Sequence, residues 1–273
     1  MIDQLLSRET LKRRTFAIIS HPDAGKTTLT EKLLLYSGML QTAGMVRGKK
    51  NQKAAASDWM SMEQERGISI TASAMQFEYK NMTINILDTP GHEDFSIDTY
   101  RTLTAADCAI MVIDAAKGVE KQTRKLFEAC KLKKIPVLTL INKMDMPARD
   151  PLDLMDEVEK LLGIESVAWN WPIGFGKEFQ GVFDRRINKA LLFEKAGPGG
   201  SQKAIIHTYP PDELKSHLPE HVYQELQDGL SLIDSAGNQF SKEKFLQGES
   251  TPVFSPQPLP TSASSHFLMH LSI

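Results

Sequence analysis

The feature that most constrains this chain is a short apolar run followed at once by a loop and a helical segment. The run at 15–20 (TFAIIS) has the length and composition of a buried strand. The segment from Lys26 to about Tyr36 has helical periodicity, with leucines on one face. Between them the chain reads SHPDAGKT, a phosphate-binding-loop pattern in which Ser20 replaces the first glycine. This order of strand, loop and helix predicts a nucleotide-binding α/β domain.

The loop between this strand and helix has the chemistry to hold phosphate groups. Backbone N–H groups of such a loop, and of the helix start, point at phosphate oxygens. In this pattern Lys26 reaches the β- and γ-phosphates and the Thr27 hydroxyl binds Mg²⁺. The residues expected to contact the nucleotide here are Ser20, His21, Pro22, Asp23, Ala24, Gly25, Lys26, Thr27 and Thr28. The motif also occurs by chance at helix starts, so its assignment depends on the rest of the chain.

The following 130 or so residues alternate apolar runs with amphipathic segments. The predicted elements are strands at 83–88, 108–114 and 136–142 and helices near 95–106, 120–133 and 151–162. A hairpin is predicted around Lys80-Asn81, and a long irregular loop at 41–67, of the kind that is usually functional or disordered. The alternation indicates an α/β fold, a mostly parallel sheet with helices on both faces.

A second motif, Asp88-Thr89-Pro90-Gly91-His92, begins where the 83–88 strand ends. A carboxylate at such a strand end can hold Mg²⁺ through water, and a glycine N–H can approach a γ-phosphate closely. Taken alone, the motif is as well explained by an ordinary turn at a strand end.

A third motif, Asn142-Lys143-Met144-Asp145, ends the 136–142 strand. The Asp145 carboxylate can accept hydrogen bonds from the N1–H and the exocyclic amine of guanine, a pair that adenine cannot donate. Lys143 would then lie along the base, and Asn142 would tie this loop to the phosphate-binding loop. Taken alone, this tetrapeptide could equally be an ordinary turn at the end of a strand.

The three motifs become specific when they are taken together. Each follows a predicted strand, in the same order along the chain and at the same edge of the sheet, where open α/β folds bind ligands. The combination predicts a P-loop GTPase fold that binds GTP or GDP with Mg²⁺.

On these motifs the chain resembles the translational GTPases. The shared segments are SHPDAGKTT, RGISI (66–70), DTPGHEDF (88–95) and NKMD (142–145). The segments that resemble the termination branch of that family more than elongation factor G are RRTFAIISHPDAGKTT, QTAGMVRG (41–48), SDWMSMEQERGISIT (57–71) and 92–120. The resemblance covers about residues 8–254.

The resemblance implies an enzyme that hydrolyses GTP and drives class-1 peptide release factors off the ribosome, with the large ribosomal subunit as its partner. It places the family's water-positioning histidine at His92. The expected metal ligands are Thr27, Ser69 and Asp88, with Ser69 at a position where most relatives carry threonine. Two alternatives remain open at this point: an elongation-factor-G-like ribosomal GTPase, and a non-enzymatic nucleotide-binding remnant.

The predicted divisions of the chain follow from changes in the alternation of apolar runs and amphipathic segments. They are a lead at 1–10, a GTPase domain at 11–254, a small α+β insertion at about 166–248, a last strand at about 251–254 and an unstructured tail at 255–273. Inside the insertion we expect short strands within 178–195, a strand at 204–209 and a helix near 212–228.

The tail at 255–273 contains no Asp, Glu, Lys or Arg, and the resemblance stops abruptly at Phe254. A sharp junction between matching and unrelated sequence is what a shifted reading frame produces, so we interpret the tail as the result of a frameshifted or prematurely ended gene. Disordered tails also normally carry charge, which disfavours the alternative. The alternative is a genuine short variant with a disordered tail. In either case the loop that gives this family a fifth guanine contact is expected to be missing.

Composition excludes several classes of function. The formal net charge of -2 gives no overall attraction to DNA, and no apolar stretch approaches the length of a membrane span. The two cysteines, Cys108 and Cys130, have neither CxxC spacing nor paired histidines, so we expect reduced buried thiols. These features predict a cytoplasmic monomer with no DNA or membrane partner.

Overall fold

The computed structural model describes residues 12–36, 73–79, 81–89, 97–194 and 205–255. The predicted lead, the predicted loop at 41–67 and the tail from 256 onward lie outside these ranges. None of the helices within the described ranges is long and apolar enough to span a membrane.

The described residues form eleven strands and six α-helices. The strands are β1 (Arg13–Ser20), β2 (Ser73–Tyr79), β3 (Met82–Asp88), β4 (Cys108–Asp114), β5 (Val137–Asn142), β6 (Glu165–Ala168), β7 (Asn170–Ile173), β8 (Gly181–Asp184), β9 (Lys189–Phe193), β10 (Ile206–Tyr209) and β11 (Ser250–Phe254). The helices are α1 (Lys26–Tyr36), α2 (Ile97–Thr104), α3 (Lys121–Leu132), α4 (Pro151–Leu162), α5 (Glu220–Ala236) and α6 (Lys242–Gln247). Two short 3₁₀ helices lie at Gly176–Glu178 and Pro211–Ser216.

Seven strands form the main sheet, in the order β2-β3-β1-β4-β5-β11-β6. All neighbouring pairs are parallel except β2 with β3. After β1 the chain builds β3 on one side and β4 on the other, so β1 is the point where the strand order reverses. Ligands of open α/β sheets bind at such a point, beyond the carboxyl ends of the strands.

The side chains of β1 show why both faces of this sheet must be covered. Phe16 and Ile18 belong to the cluster on one face, and Ala17 and Ile19 to the cluster on the other. All four are at most 2% exposed. A parallel strand buried on both faces is read as a continuous apolar run, which is why the sequence pattern identified β1, β4 and β5.

A four-stranded antiparallel sheet, in the order β10-β9-β8-β7, forms the second unit. The prediction began this unit at about Ser166, but β6 pairs with β11 at the edge of the main sheet, so the second sheet begins at Asn170. Helix α5 packs on β7, where Gly229 allows the Trp171 ring to approach. An alanine Cβ at 229 would lie 2.6 Å from the Trp171 Nε1 atom.

The helix predicted near 212–228 was wrong in its position. A 3₁₀ helix occupies Pro211–Ser216, and α5 begins at Glu220 and runs to Ala236. Pro219 is the N-cap of α5. Proline has no N–H group and obstructs the preceding turn, so it is tolerated at the start of a helix but breaks its interior.

Strand β11 lies between β5 and β6, close to the position predicted for the last strand. Its Thr251 hydroxyl meets the Thr139 hydroxyl at 2.8 Å in the buried interior. Directly after the strand, the Ser255 N–H donates to Asn170 Oδ1 at 2.7 Å, and Asn170 Nδ2 donates to the Ser255 carbonyl at 3.1 Å. This reciprocal pair fixes the end of β11 against the second sheet.

Candidate nucleotide-binding site

The loop from β1 to α1 is shaped by two residues in the left-handed region, Asp23 with φ 66° and Gly25 with φ 100°. A Cβ atom on Gly25 would lie 2.1 Å from the Asn142 Nδ2 atom. Only glycine therefore allows the third motif to sit against the loop at this distance. The orientation brings the backbone N–H groups at the start of α1 to the carboxyl edge of the sheet.

A buried ion pair joins the loop to the second motif. The Lys26 Nζ atom lies 2.9 Å from Asp88 Oδ1, and the two side chains are 8% and 0% exposed. Lys26 also donates to the Thr89 carbonyl. The Thr89 hydroxyl donates to the Ile18 carbonyl at 2.6 Å, so the end of β3 is bound to β1 by side chain as well as by strand pairing.

The third motif reaches the same loop with two side chains. Asn142 Nδ2 donates to the Ala24 carbonyl at 2.8 Å, as the sequence predicted for a tie between the loops. Lys143 Nζ donates to the Asp23 carbonyl at 2.6 Å. The Lys143 backbone has φ 67°, a left-handed conformation that is uncommon for a residue with a Cβ atom.

Asp114 is a site residue that the sequence analysis missed. It ends β4, is 4% exposed, and places Oδ2 2.7 Å from Lys143 Nζ. Its Oδ1 accepts the Ala116 N–H at 2.9 Å. Burial by itself raises the pKa of this carboxyl, but the hydrogen bonds from Lys143 and Ala116 favour the anion and leave the pKa lowered. The available signal was an aspartate at a strand end on the same sheet edge as the other motifs.

His21 attaches the start of the loop to α3. Its backbone N–H donates to the Thr123 hydroxyl at 3.2 Å, and its Nε2 lies 3.3 Å from Glu120 Oε1. Glu120 is the N-cap of α3. The phosphate-binding loop is therefore held on one side by α3 and on the other by the third motif.

The structure brings most of the expected site residues to one edge of the sheet. Ser20 is 1% exposed, and its hydroxyl has no hydrogen-bond partner among the described residues. Thr27 is partly exposed at the start of α1, and Asp145 is exposed at the end of the third motif. Four expected residues lie outside the described ranges: Ser69, Pro90, Gly91 and His92.

The packing of Gly25 against the third motif gives a prediction about stability. Gly25→Ala is expected to lower the free energy of unfolding by about 2–4 kcal/mol, because it adds a steric overlap to the strain of positive φ. Gly248→Ala is the matched control, since Gly248 has φ 74° but no described residue lies within 4 Å of its added Cβ. The control should cost only about 1–2 kcal/mol. Equal losses in urea denaturation would contradict this account of the contact.

The lowered pKa of Asp114 gives a prediction about pH. A carboxyl with a depressed pKa contributes stability above its unfolded pKa of about 3.9, and this contribution disappears as the pH falls through the folded value. Wild type should therefore exceed Asp114→Asn by a constant amount, about 1 kcal/mol, from pH 7 to about 5. The difference should shrink below about pH 5 in urea denaturation curves. A difference that grows with acidity would show that Asp114 is not stabilised as an anion.

A phosphate-binding loop, a strand-end carboxylate and an Asn-Lys-x-Asp turn at one sheet edge define the P-loop GTPase fold. The chain belongs to the elongation factor Tu GTP binding domain family, whose model matches residues 11–262. The name of this family states that its members bind GTP.

Individual proteins of this family show which members the chain is most similar to among those compared. The chain is 55% identical over 251 residues to a protein of Cyanothece sp. named peptide chain release factor 3, covering 91% of this chain and 46% of that protein. A protein of the same name from Synechocystis sp. is 56% identical over 255 residues, covering 93% and 46%. The one from Gloeobacter violaceus is 52% identical over 255 residues, covering 93% and 48%. The chain thus spans about half the length of the curated relatives it matches.

A solved structure supports the fold. A crystal structure of a protein from Thermus thermophilus superposes with a TM-score of 0.72 at 22% identity, covering 96% of this chain and 40% of that one. At this identity the likeness concerns the fold alone, and it agrees with the mostly parallel sheet and its antiparallel companion.

Proposed function

We propose that this chain binds GTP and GDP with Mg²⁺ and hydrolyses GTP in the termination of translation. The observation that carries the proposal is the meeting of three motifs at one sheet edge. Lys26 pairs with Asp88, Asn142 bonds to the Ala24 carbonyl, and Lys143 bonds to the Asp23 carbonyl. Residues up to 120 positions apart in sequence are thereby held in one constellation, as a nucleotide that spans phosphate and base requires.

The phosphates are assigned to the loop and the start of α1. The proposed contacts are Ser20, His21, Pro22, Asp23, Ala24, Gly25, Lys26, Thr27 and Thr28, together with Asp88, Thr89, Pro90, Gly91 and His92. The fit rests on the absence of a Cβ at Gly25 and on the cation of Lys26 beside the helix N-terminus. It rests also on the buried Ser20 hydroxyl, which has no hydrogen-bond partner among the described residues.

The base is assigned to Asn142, Lys143, Met144 and Asp145. Asp145 is exposed and available to accept the two guanine N–H groups, whereas Met144 is 1% exposed and anchors the turn in the core. Asp114 and the Asp23 carbonyl hold the Lys143 ammonium, which leaves the lysine stem to lie along the base.

Magnesium is assigned to Thr27, Asp88 and Ser69. Mg²⁺ keeps several waters and usually takes one or two protein groups besides phosphate oxygens, so a hydroxyl and a carboxylate suffice. Thr27 follows directly on Lys26, whose ammonium lies 2.9 Å from Asp88 Oδ1, so both groups are at the phosphate end of the site. When bound, the ion supplies charge that offsets the phosphate oxygens.

Hydrolysis is assigned to His92 as the residue that positions the attacking water. The proposed partners, which follow from the resemblance to the translational GTPases, are the ribosome, through its large subunit, and class-1 peptide release factors. The relatives' name, peptide chain release factor 3, supports a role in termination. The proposed location is the cytoplasm. The chain spans less than half of those relatives, so each of these assignments is a proposal about an activity that the relatives' names give to longer proteins.

The test is a GTP hydrolysis assay of the whole chain with and without ribosomes. We expect ribosomes to increase turnover, and His92→Ala to lower the stimulated rate by at least about 100-fold, the scale of losing one group that orients the reaction and stabilises its transition state. His207→Ala is the matched control, since His207 lies on the second sheet and pairs with Glu194. An equal, negligible rate with and without ribosomes would support a nucleotide-binding remnant instead of an enzyme.

A further inference from the structure

A groove at the junction of the main sheet and the second unit has a volume of about 1050 Å³. Sites for small molecules commonly have volumes of about 300–1,000 Å³. The groove lies between the end of β6, the β8–β9 turn and the face of α5. Among the described residues, those that line the groove include none of the nucleotide site.

Arg186 provides a cation in this junction groove. Its guanidinium carbon lies over the Trp169 ring, 4.8 Å from the ring centre, which is within the range of a cation–π contact. Trp169 is itself fixed by edge contacts with Phe240 at 4.9 Å and Phe254 at 5.2 Å. The guanidinium is therefore presented to the groove by a rigid support.

The Arg186 guanidinium forms no ion pair within the described part of the chain. Asp184, the carboxylate that acts on it through space, uses Oδ1 to accept the backbone N–H groups of Arg186 and Ile187. Burial lowers the pKa of the arginine, and Asp184 only partly opposes this. Arg186 is exposed, and no hydrogen bond from its guanidinium to another described residue is present, so its donors can reach a planar oxyanion in the groove.

Arg185, the neighbouring cation, is engaged in the protein instead. Its Nη1 donates to the Ala168 carbonyl at 2.7 Å, and its Nη2 lies 2.5 Å from Asp234 Oδ1. Asp234 is the one carboxylate among the described residues that line the groove. Because Arg185 neutralises it, the groove retains the positive charge of Arg186.

The rest of the lining suits a ligand with an apolar body. Phe183, Leu230 and Phe240 supply apolar surface, and Asn188 and Gln227 supply neutral hydrogen-bonding groups. Phe240 is 36% exposed although it packs on Trp169. A groove of this composition favours a compact organic molecule over a fully hydrated ion.

We propose that the junction groove binds a small organic oxyanion, with its carboxylate or phosphate on Arg186 and its apolar body against Phe183 and Phe240. Both anionic groups present two oxygens in the geometry of the guanidinium fork. The site is distinct from the nucleotide site, so the proposal does not depend on GTP binding.

The experiment titrates the whole chain with two probes, phenyl phosphate and benzoate. The tryptophans are labelled with ¹⁵N in the indole ring, and the Trp169 N–H signal is followed by NMR, assigned with Trp169→Phe. We expect saturable displacement of the Trp169 signal by at least one probe. Arg186→Met should weaken this binding by at least about tenfold, the typical effect of losing a charge-assisted hydrogen bond. Tighter binding of phenyl phosphate assigns a phosphate ligand, and tighter binding of benzoate assigns a carboxylate.

Lys189→Met is the matched control, because Lys189 is exposed on β9, outside the lining, and its loss changes the net charge equally. It should leave the affinity unchanged. Arg186→Lys keeps a cation but loses the fork, and should weaken binding about threefold or more even if Arg186→Met lowers the melting temperature. The proposal is overturned if neither probe moves the Trp169 signal, or if Arg186→Met and Arg186→Lys both bind like wild type.

Discussion

Lys26→Met is expected to lower the affinity for GDP by about 100-fold or more. The Lys26 ammonium is 8% exposed at the phosphate end of the site, and hydrogen bonds between charged groups contribute about 1.5–3 kcal/mol each. A loss of that size corresponds to roughly ten- to 100-fold in affinity, and the phosphate group offers more than one oxygen to the lysine. Isothermal titration of both proteins with GDP in the presence of Mg²⁺ measures the effect.

The same substitution should also destabilise the fold, because it leaves Asp88, which is 0% exposed, without the Lys26 cation. Breaking one side of a buried ion pair costs about 3–5 kcal/mol. The double variant Lys26→Met/Asp88→Asn removes both charges and should regain much of this stability while GDP affinity stays low. If affinity returned together with stability, Lys26 would be a structural residue and not a phosphate ligand.

Asp145→Asn is expected to change the preference of the site from guanine to xanthine nucleotides. The carboxylate accepts two N–H groups from guanine, whereas an asparagine amide offers one donor and one acceptor, which matches the carbonyl that xanthine carries in place of the amine. We expect GDP affinity to fall by about 100-fold or more and xanthosine diphosphate to bind more tightly than GDP. Competition titrations with the two nucleotides measure the change.

Exposure makes Asp145→Asn a clean test, because Asp145 is exposed in the turn that follows β5 and its replacement should leave the melting temperature unchanged. Asp153→Asn is the matched control, since Asp153 is an exposed aspartate in the first turn of α4. The control should retain the wild-type preference. If the Asp145 variant bound both nucleotides with the affinity that the wild type has for GDP, Asp145 would not contact the base.

The main sheet could be predicted from the sequence for a physical reason. β1, β4 and β5 are buried on both faces and therefore read as unbroken apolar runs, which few other structures produce. Parallel strands present their carboxyl ends at one edge, so motifs that follow these strands had to converge. The contact of Asn142 with the Ala24 carbonyl confirms that part of the reasoning.

Other features of the site could not be predicted, because they depend on the register between strands, which no local sequence pattern encodes. Asp114 is paired in register with Asn142 across β4 and β5, and this placement brings its carboxylate to Lys143. The link from His21 to Glu120 joins residues about 100 positions apart and carries no motif. In contrast, the misplaced helix near 212–228 was avoidable, since Pro219 marked the boundary in the sequence.

The most direct test of the account is a calorimetric titration of the whole chain with GDP and, separately, ADP in the presence of Mg²⁺. The three motifs form one site with a carboxylate that discriminates between the bases, so GDP should bind with a stoichiometry of one. ADP should bind at least about 100-fold more weakly, because it leaves the acceptors of Asp145 unpaired. Equal affinity for the two nucleotides, or no binding of GDP by the folded chain, would contradict the account.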